Sequence, residues 1–178
     1  MRFPERLTSY GVDLLRLTEA DLELVRYWRN HPNVTRYMEY REHITQQMQQ
    51  NWFNRINNDR NFYATVEWCG QKVGLANLRD IDYQAHCAES GIFFWDEQCL
   101  NSLIPFRAHF ALHDWGFDNL RLEYAKAHIL RDNLRAIRFN RMLGHVLQPG
   151  QENVQNQLYF QTREAYFAAR ERYANLLA

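Results

Sequence analysis

Glycine is scarce in this chain, seven residues in 178, and the stretch DEQCLNSLIPF at 96–106, between a strand-like run and a helix-like run, has none. That excludes a glycine-rich phosphate loop of the ordinary kind, in which missing side chains let the backbone approach a pyrophosphate. Cysteine is limited to Cys69, Cys87 and Cys99, an odd set without C-x-x-C spacing. Neither a disulfide framework nor a zinc site is indicated, and buried or half-buried thiols are expected. Net charge is absent too: 21 Lys plus Arg balance 21 Asp plus Glu, which leaves no field to draw the protein to nucleic acid or an anionic membrane. No apolar run nears the roughly 18–20 residues that cross a bilayer, and the opening MRFPERLTSYG has no signal-like stretch. The expectation is a cytoplasmic protein, one domain over 1–178, with a small-molecule partner; the sequence leaves a monomer and a homodimer both open.

Aromatic residues are plentiful at 15%, enough for a core and for a pocket that stacks on a flat ligand. VDLLRLT at 12–18 reads as a strand ending in Thr18, an N-cap whose partner Asp21 makes TEAD close to a capping box. The helix EADLELVRYWRN then puts Leu22, Leu24, Val25 and Trp28 on one face and stops before Pro32. In ITQQMQQNWFNRINND, Ile44, Met48, Trp52 and Ile56 at i+4 steps predict a second helix. The period then changes: NFYATVEW, QKVGLANLRDID and HCAESGIFFW predict three consecutive antiparallel strands. After them come a helix in PFRAHFALHDWGF, a strand LEYAKAHIL, and a helix in RDNLRAIRFNRMLGH capped by Asp132 or Asn133 and ended by Gly144. A strand NQLYFQT and a terminal helix close the chain. The order β-α-α-β-β-β-α-β-α-β-α predicts a mixed α/β layer fold, a central, mostly antiparallel twisted sheet flanked by helices, rather than a doubly wound one.

A helix N-terminus after a buried strand is a natural anion site, and the helix after SGIFFW has that position, although Pro105 has no N–H to give. Glu89 lies among apolar neighbours on the third middle strand; half-buried there it would have a raised pKa and could accept a proton from an amine, the alternative being a carboxylate in water or paired with Arg. Gly91 inside the same strand suggests a bulge or a close backbone approach. Trp28, Arg29, Asn30, His31, Arg36 and Tyr37 gather rings and cations at the end of the first helix, suited to a nucleotide base and its phosphates or to a solvated helix end. His109 and His113 have metal-like spacing, but no third ligand lies near them in sequence, so an exposed or core-edge helix face is expected.

LRLTEADLELVRYWRNHPNV, HITQQMQQNWFNRINND, AESGIFFWDE and DNLRAIRFNRMLGH together resemble the GNAT superfamily of N-acetyltransferases over about residues 12–168. Within it the chain looks most like the branch of ribosomal-protein-alanine and nucleotide-linked 4-amino-sugar N-acetyltransferases. The resemblance implies acetyl-CoA as donor and a small-molecule amine as acceptor. It places the pantetheine arm along Gly91, Ile92 and Phe93 and near Asn133, with Asn140 also at the cofactor, while Asn101 and Ser102 are expected to meet its phosphates in an altered arrangement of the turn. It puts Glu89 beside the acceptor amine; the rings and cations of Trp28, Arg29, Asn30 and Tyr37 are then the candidates for the acceptor pocket, with Tyr83 a secondary one. Two departures are visible. Leu100, Leu103 and Pro105 stand where the family's phosphate loop has Arg or Gln and two glycines, and Asn140 replaces the tyrosine that protonates the leaving thiolate; a side-chain amide cannot be that acid. Three readings follow: an N-acetyltransferase of a nucleotide-linked amino sugar; a binding or scaffold protein whose cofactor cleft is blocked by Leu103 or Phe106; and an acetyltransferase of protein N-termini.

Overall fold

Tyr10 and Gly11 take left-handed backbone, φ +54° and +71°, and so turn the N-terminal segment into a hairpin of β1 (Arg6–Ser9) and β2 (Val12–Arg16). The computed structural model describes residues 3–177. β1 is an element the sequence reading lacked; its signal was the single glycine between two short apolar-polar runs. The Thr18 N–H and hydroxyl both donate to Asp21, starting a 3-10 turn at Glu19–Asp21 that runs into α1 (Leu22–Asn30). A short α2 (Pro32–Thr35) and then α3 (Gln46–Ile56) follow.

α3 begins where the Thr45 hydroxyl accepts from the Met48 N–H, but its buried ridge is Gln49, Phe53 and Ile56. Of the expected i+4 stripe, Ile44, just before the helix, and Ile56 are buried and Trp52 packs against the core, but Met48 is 40% exposed, and Gln49 and Phe53 complete the packed face in its place. The hairpins β3 (Phe62–Trp68), β4 (Gln71–Asp82) and β5 (Cys87–Phe94) come next, as the period change predicts. After α4 (Glu97–Leu100), α5 (Ile104–Asn119), β6 (Tyr124–Leu130), α6 (Leu134–Met142), β7 (Val146–Leu147) and β8 (Asn156–Thr162), the chain ends in α7 (Arg163–Arg172) and α8 (Ala174–Leu177).

The strands form one sheet in the order β1-β2-β3-β4-β5-β6-β8-β7. All neighbours are antiparallel except β5 and β6, which run parallel and pair only through Cys87–Glu89 and Tyr124–Lys126. Beyond Glu89 the two strands part, and the gap opens the sheet in its middle.

One core packs α5, α7 and α8 against one face through Phe110, Phe117, Tyr166 and Leu177. A second packs α1, α2 and α3 against the other through Val25, Val34, Phe53 and Leu75. α5 runs through the first core with ten buried residues, His109 and His113 among them. The expected exposed or core-edge face for these two histidines is therefore wrong: the helix is surrounded by α7, β8 and the sheet. Of the cysteines, Cys87 and Cys99 are buried, but Cys69 is exposed, because with Gly70 it forms the left-handed tip of the β3–β4 hairpin.

Gly144, just past α6, has φ +94°, and a Cβ there would lie 2.8 Å from the Ala165 carbonyl oxygen of α7. Strain and backbone collision act together, so Gly144→Ala is expected to destabilise by about 1–3 kcal/mol, read as a lower urea midpoint with an unchanged slope.

Candidate active site

The gap between β5 and β6 is where the chemistry-bearing residues converge. Trp95 donates its N–H to the Val73 carbonyl of β4, and hydrogen-bonded pairs alternate along an antiparallel ladder. Phe93 and Gly91 therefore also pair with β4, while the N–H and C=O groups of Ile92 and Phe94 point towards β6, which has already diverged. This free edge is what an extended ligand arm needs. Gly91 lies in regular pairing with Asn77; the expected bulge is absent, and the close approach comes from the Asn77 amide, 2.8 Å from where a Cβ would be.

Two cavities meet at Ile92 and Phe93. The smaller, about 360 Å³, lies between β5, the α4–α5 turn and α6, and is bordered by Asn101, Ser102, Pro105, Phe106, Asn133 and Arg135. Leu103 is 38% exposed and borders neither cavity, and Phe106 packs on Phe139 and Tyr173 at the wall, so the expected blockage is not there. At the start of α5, the Ile104 N–H is taken by the Ser102 hydroxyl at 3.1 Å and Pro105 has none, so the turn itself offers few donors. A cation is present instead: Arg135, on the first turn of α6, donates to the Leu100 carbonyl and to the Asn101 side chain. Sequence spacing gave no hint of it, since Arg135 and Leu100 lie 35 residues apart. Asn133 caps α6 by accepting from the Ala136 N–H, and the Asn140 amide donates to the Ala136 carbonyl at 2.9 Å.

The larger cavity, about 420 Å³, passes through the gap and joins both faces of the sheet. On the α1–α3 side it meets Arg29, Tyr37, Trp52, Tyr63, Arg79 and Glu89. Glu89 does not stand alone among apolar groups: its carboxylate accepts from Arg79 and lies 3.0 Å from His128 Nδ1 on β6. Burial works against the Arg79 charge, but the hydrogen bond and charge of Glu89 outweigh it and raise its pKa. His128 was missed in sequence because nothing in AKAHIL marks it; the parallel pairing of Glu89 with Lys126 sets it beside the carboxylate. Arg29 stacks over Trp52 at 5.1 Å and touches Gln49 at 3.4 Å. Burial lowers its pKa, and among the described residues no carboxylate is paired with it.

The other expected acceptor residues divide. Tyr37 borders both cavities. Trp28 is stacked on Trp95, ring centres 6.0 Å apart, and the Asn30 side chain bonds the backbone of Ile44 in both directions, so both hold α1 and the loop before α3 in place. Tyr83 donates to the Asp59 carbonyl outside either cavity.

A mostly antiparallel sheet, parted between two parallel strands and flanked by helices on both faces, is the fold of the GNAT acyltransferases. The sequence profile described as "Acetyltransferase (GNAT) domain" matches residues 12–146, and the chain belongs to that family. No curated protein matches at a significant level. Among solved structures the chain is similar to FdhC, a nucleotide-linked sugar GNAT in its apo form, at 19% identity over 97% of this chain and 98% of that one, TM-score 0.77. It is similar to the spermidine N-acetyltransferase from Vibrio cholerae in complex with CoA and spermine, at 20% identity over 88% and 98%, TM-score 0.75. A third is the aminoglycoside acetyltransferase AAC(6')-Ib in complex with coenzyme A, at 18% identity over 89% and 99%, TM-score 0.76. At these identities the likeness is one of fold. Among the described residues no helix is long and apolar enough to cross a membrane, and no group of His, Cys, Asp and Glu is placed to hold a metal ion.

Proposed function

We propose that the protein is an acyl-CoA-dependent N-acyltransferase of a small amine borne on an anionic carrier, a nucleotide-linked amino sugar, with acetyl-CoA the donor that the family implies. The observation that carries the acceptor class is Arg29: a guanidinium facing the cavity, with no carboxylate partner, beside the rings of Trp52 and Tyr63. A polyamine would need several free carboxylates, and of the two at this cavity, Glu39 and Glu89, the second is already committed to Arg79. A phosphate-bearing, ring-containing acceptor matches the guanidinium and the aromatic walls. Acceptor screening tests this: nucleotide-linked amino sugars are expected to turn over and spermidine and peptides not to, the reverse order overturning the assignment.

The residues present fit a CoA donor. The free edge of β5 at Ile92 and Phe94 suits its amide-bearing arm, and Arg135 with Asn101 borders the place of its phosphates. A bound acyl-CoA supplies an activated thioester. Ile92 N–H, facing the gap, donates to the carbonyl oxygen on which charge develops. Because Glu89 is held as an acceptor by Arg79, His128 carries its proton on Nδ1 and presents the Nε2 lone pair, which takes the amine proton as the new bond forms. Glu89 stabilises the imidazolium. Asn140 cannot take the place of the absent tyrosine as an acid, and no acid is required, because a thiolate whose thiol titrates near 8.5 can take its proton from water. The open cleft and the outward Leu103 favour this reading over the scaffold one.

Arg135 supplies the charge that the glycine-free turn lacks. Arg135→Ala is expected to raise the dissociation constant for acetyl-CoA about tenfold or more, one charge-assisted contact being worth about 1.5–3 kcal/mol, while leaving the KM for acetyl-pantetheine, which has no phosphate, unchanged. Calorimetry and initial rates measure the two. Equal weakening towards both donors would assign Arg135 to holding the α4–α5 turn rather than phosphate.

A further inference from the structure

On the α5 side of the gap, the larger cavity ends against His109, Leu112 and His113 of α5 and Ala127 and Ile129 of β6. The His109 and His113 rings are stacked 3.8 Å apart, and the His145 ring centre lies 6.0 and 6.3 Å from them. The three residues are 4%, 2% and 3% exposed. Neither ring nitrogen of His113 or of His145 has a hydrogen-bond partner, nor has Gln161 Oε1. The Gln161 amide nitrogen is turned to the Leu143 carbonyl and sits 3.4 Å from His109 Nε2. A buried polar atom without a partner costs stability, and the two ring nitrogens of His113 are such atoms at the end of a cavity whose other end is the Ile92 edge, with His145 and Gln161 packed behind them outside its lining.

The chemistry of the cluster narrows what could fill it. A metal is not indicated, since two rings lie face to face and no set of three ligands converges. Burial keeps the imidazoles neutral, so each offers one donor and one acceptor. A carboxylate would ask for cations or two donors. A bare methyl would leave the nitrogens as they are. A hydroxyl, donor and acceptor at once, matches them.

We infer that the His109–His113 end of the cavity is an acyl-chain pocket that selects a donor whose short acyl group carries a hydroxyl. The inference rests on the acyltransferase reading above and replaces its acetyl donor with another class of acyl group: longer than acetyl, because the pocket lies beyond the Ile92 edge where that reading puts the thioester, and hydroxylated.

Calorimetric binding of free CoA, propionyl-CoA, 2-hydroxypropionyl-CoA and 3-hydroxypropionyl-CoA tests it, with wild type, His113→Leu and His113→Gln. In the wild type one hydroxypropionyl isomer is expected to bind about tenfold more tightly than propionyl-CoA, as one satisfied buried hydrogen bond provides. His113→Leu should remove that preference without changing the affinity for free CoA, and His113→Gln, which retains a donor and an acceptor, should keep part of it. Equal binding of the three acyl donors by the wild type overturns the inference, as does a preference that survives His113→Leu. If free CoA itself does not bind at millimolar concentration, the acyltransferase reading falls and this inference with it; loss of selectivity alone leaves that reading standing.

Discussion

Glu89→Gln lowers kcat about a hundredfold or more and leaves the KM for the acyl donor within about twofold. Gln keeps the size of the side chain and can still meet Arg79 and His128, but without a negative charge it neither fixes the proton on His128 Nδ1 nor stabilises the imidazolium formed when the amine gives up its proton. General base catalysis contributes roughly 10²–10⁴ to a rate, and the lower end suits an amine, already a fair nucleophile. His128→Gln is expected to lose a similar factor. The two losses should not multiply in the double variant, because both groups act as one unit through the 3.0 Å contact between them. The loss should appear in kcat at saturating acceptor. A Glu89→Gln enzyme within threefold of wild type would remove the pair from the chemistry, and a change confined to the acceptor KM would reassign Glu89 to binding the amine.

The second large effect is on stability in mild acid. Burial, assisted by the neighbouring His145, lowers His113 to about 3, and burial lowers His145 to about 4; the same burial, with the charges of His113 and His145, carries His109 well down. An unfolded histidine titrates near 6.5. Between pH 6.5 and about 4 the unfolded chain therefore binds protons that the folded chain refuses, and stability falls as pH falls, by about 1.4 kcal/mol per pH unit per histidine. For His113 and His145 together the loss reaches about 5 kcal/mol at pH 4.5, comparable with the whole stability of an ordinary domain at about 5–15 kcal/mol. The expected result is a urea midpoint that drops steeply from pH 6.5 to 4.5, and cooperative unfolding near the lower end. Replacing His145 with Phe should flatten that slope by about one proton. A midpoint constant over the range would mean that the cluster opens to water in the folded state.

The family and most of the fold were legible in the chain because they rest on local signals. Period 2 in NFYATVEW and its two successors, period 3.6 in the helices, Thr18 and Asn133 at helix starts and Gly144 at a helix end are each decided within a few residues. Even there the face of α3 is centred slightly differently from the i+4 stripe: Ile56 and Trp52 pack as expected, but Met48 is exposed and Gln49 and Phe53 are buried, because a stripe alone does not say where the sheet lies. The short β1 and β7 escaped because two to four residues carry too little periodicity to register.

The site was legible in only one of its halves. Glu89, the strand 91–93 and Asn133, which follow the family's pattern, and Asn101 and Ser102, which lie in the turn that departs from it, each border one or both of the two cavities. What the sequence determined by itself is the order of elements and which strand faces the gap. What only the tertiary structure decided is who meets across it: Glu89 with His128, 39 residues away, Arg135 with the α4–α5 turn, and His145 with the two histidines of α5. Each of these partners arrives through the α5 crossover that sets β6 parallel to β5, and such long-range placement depends on packing the whole helix layer rather than on any residue's local preference.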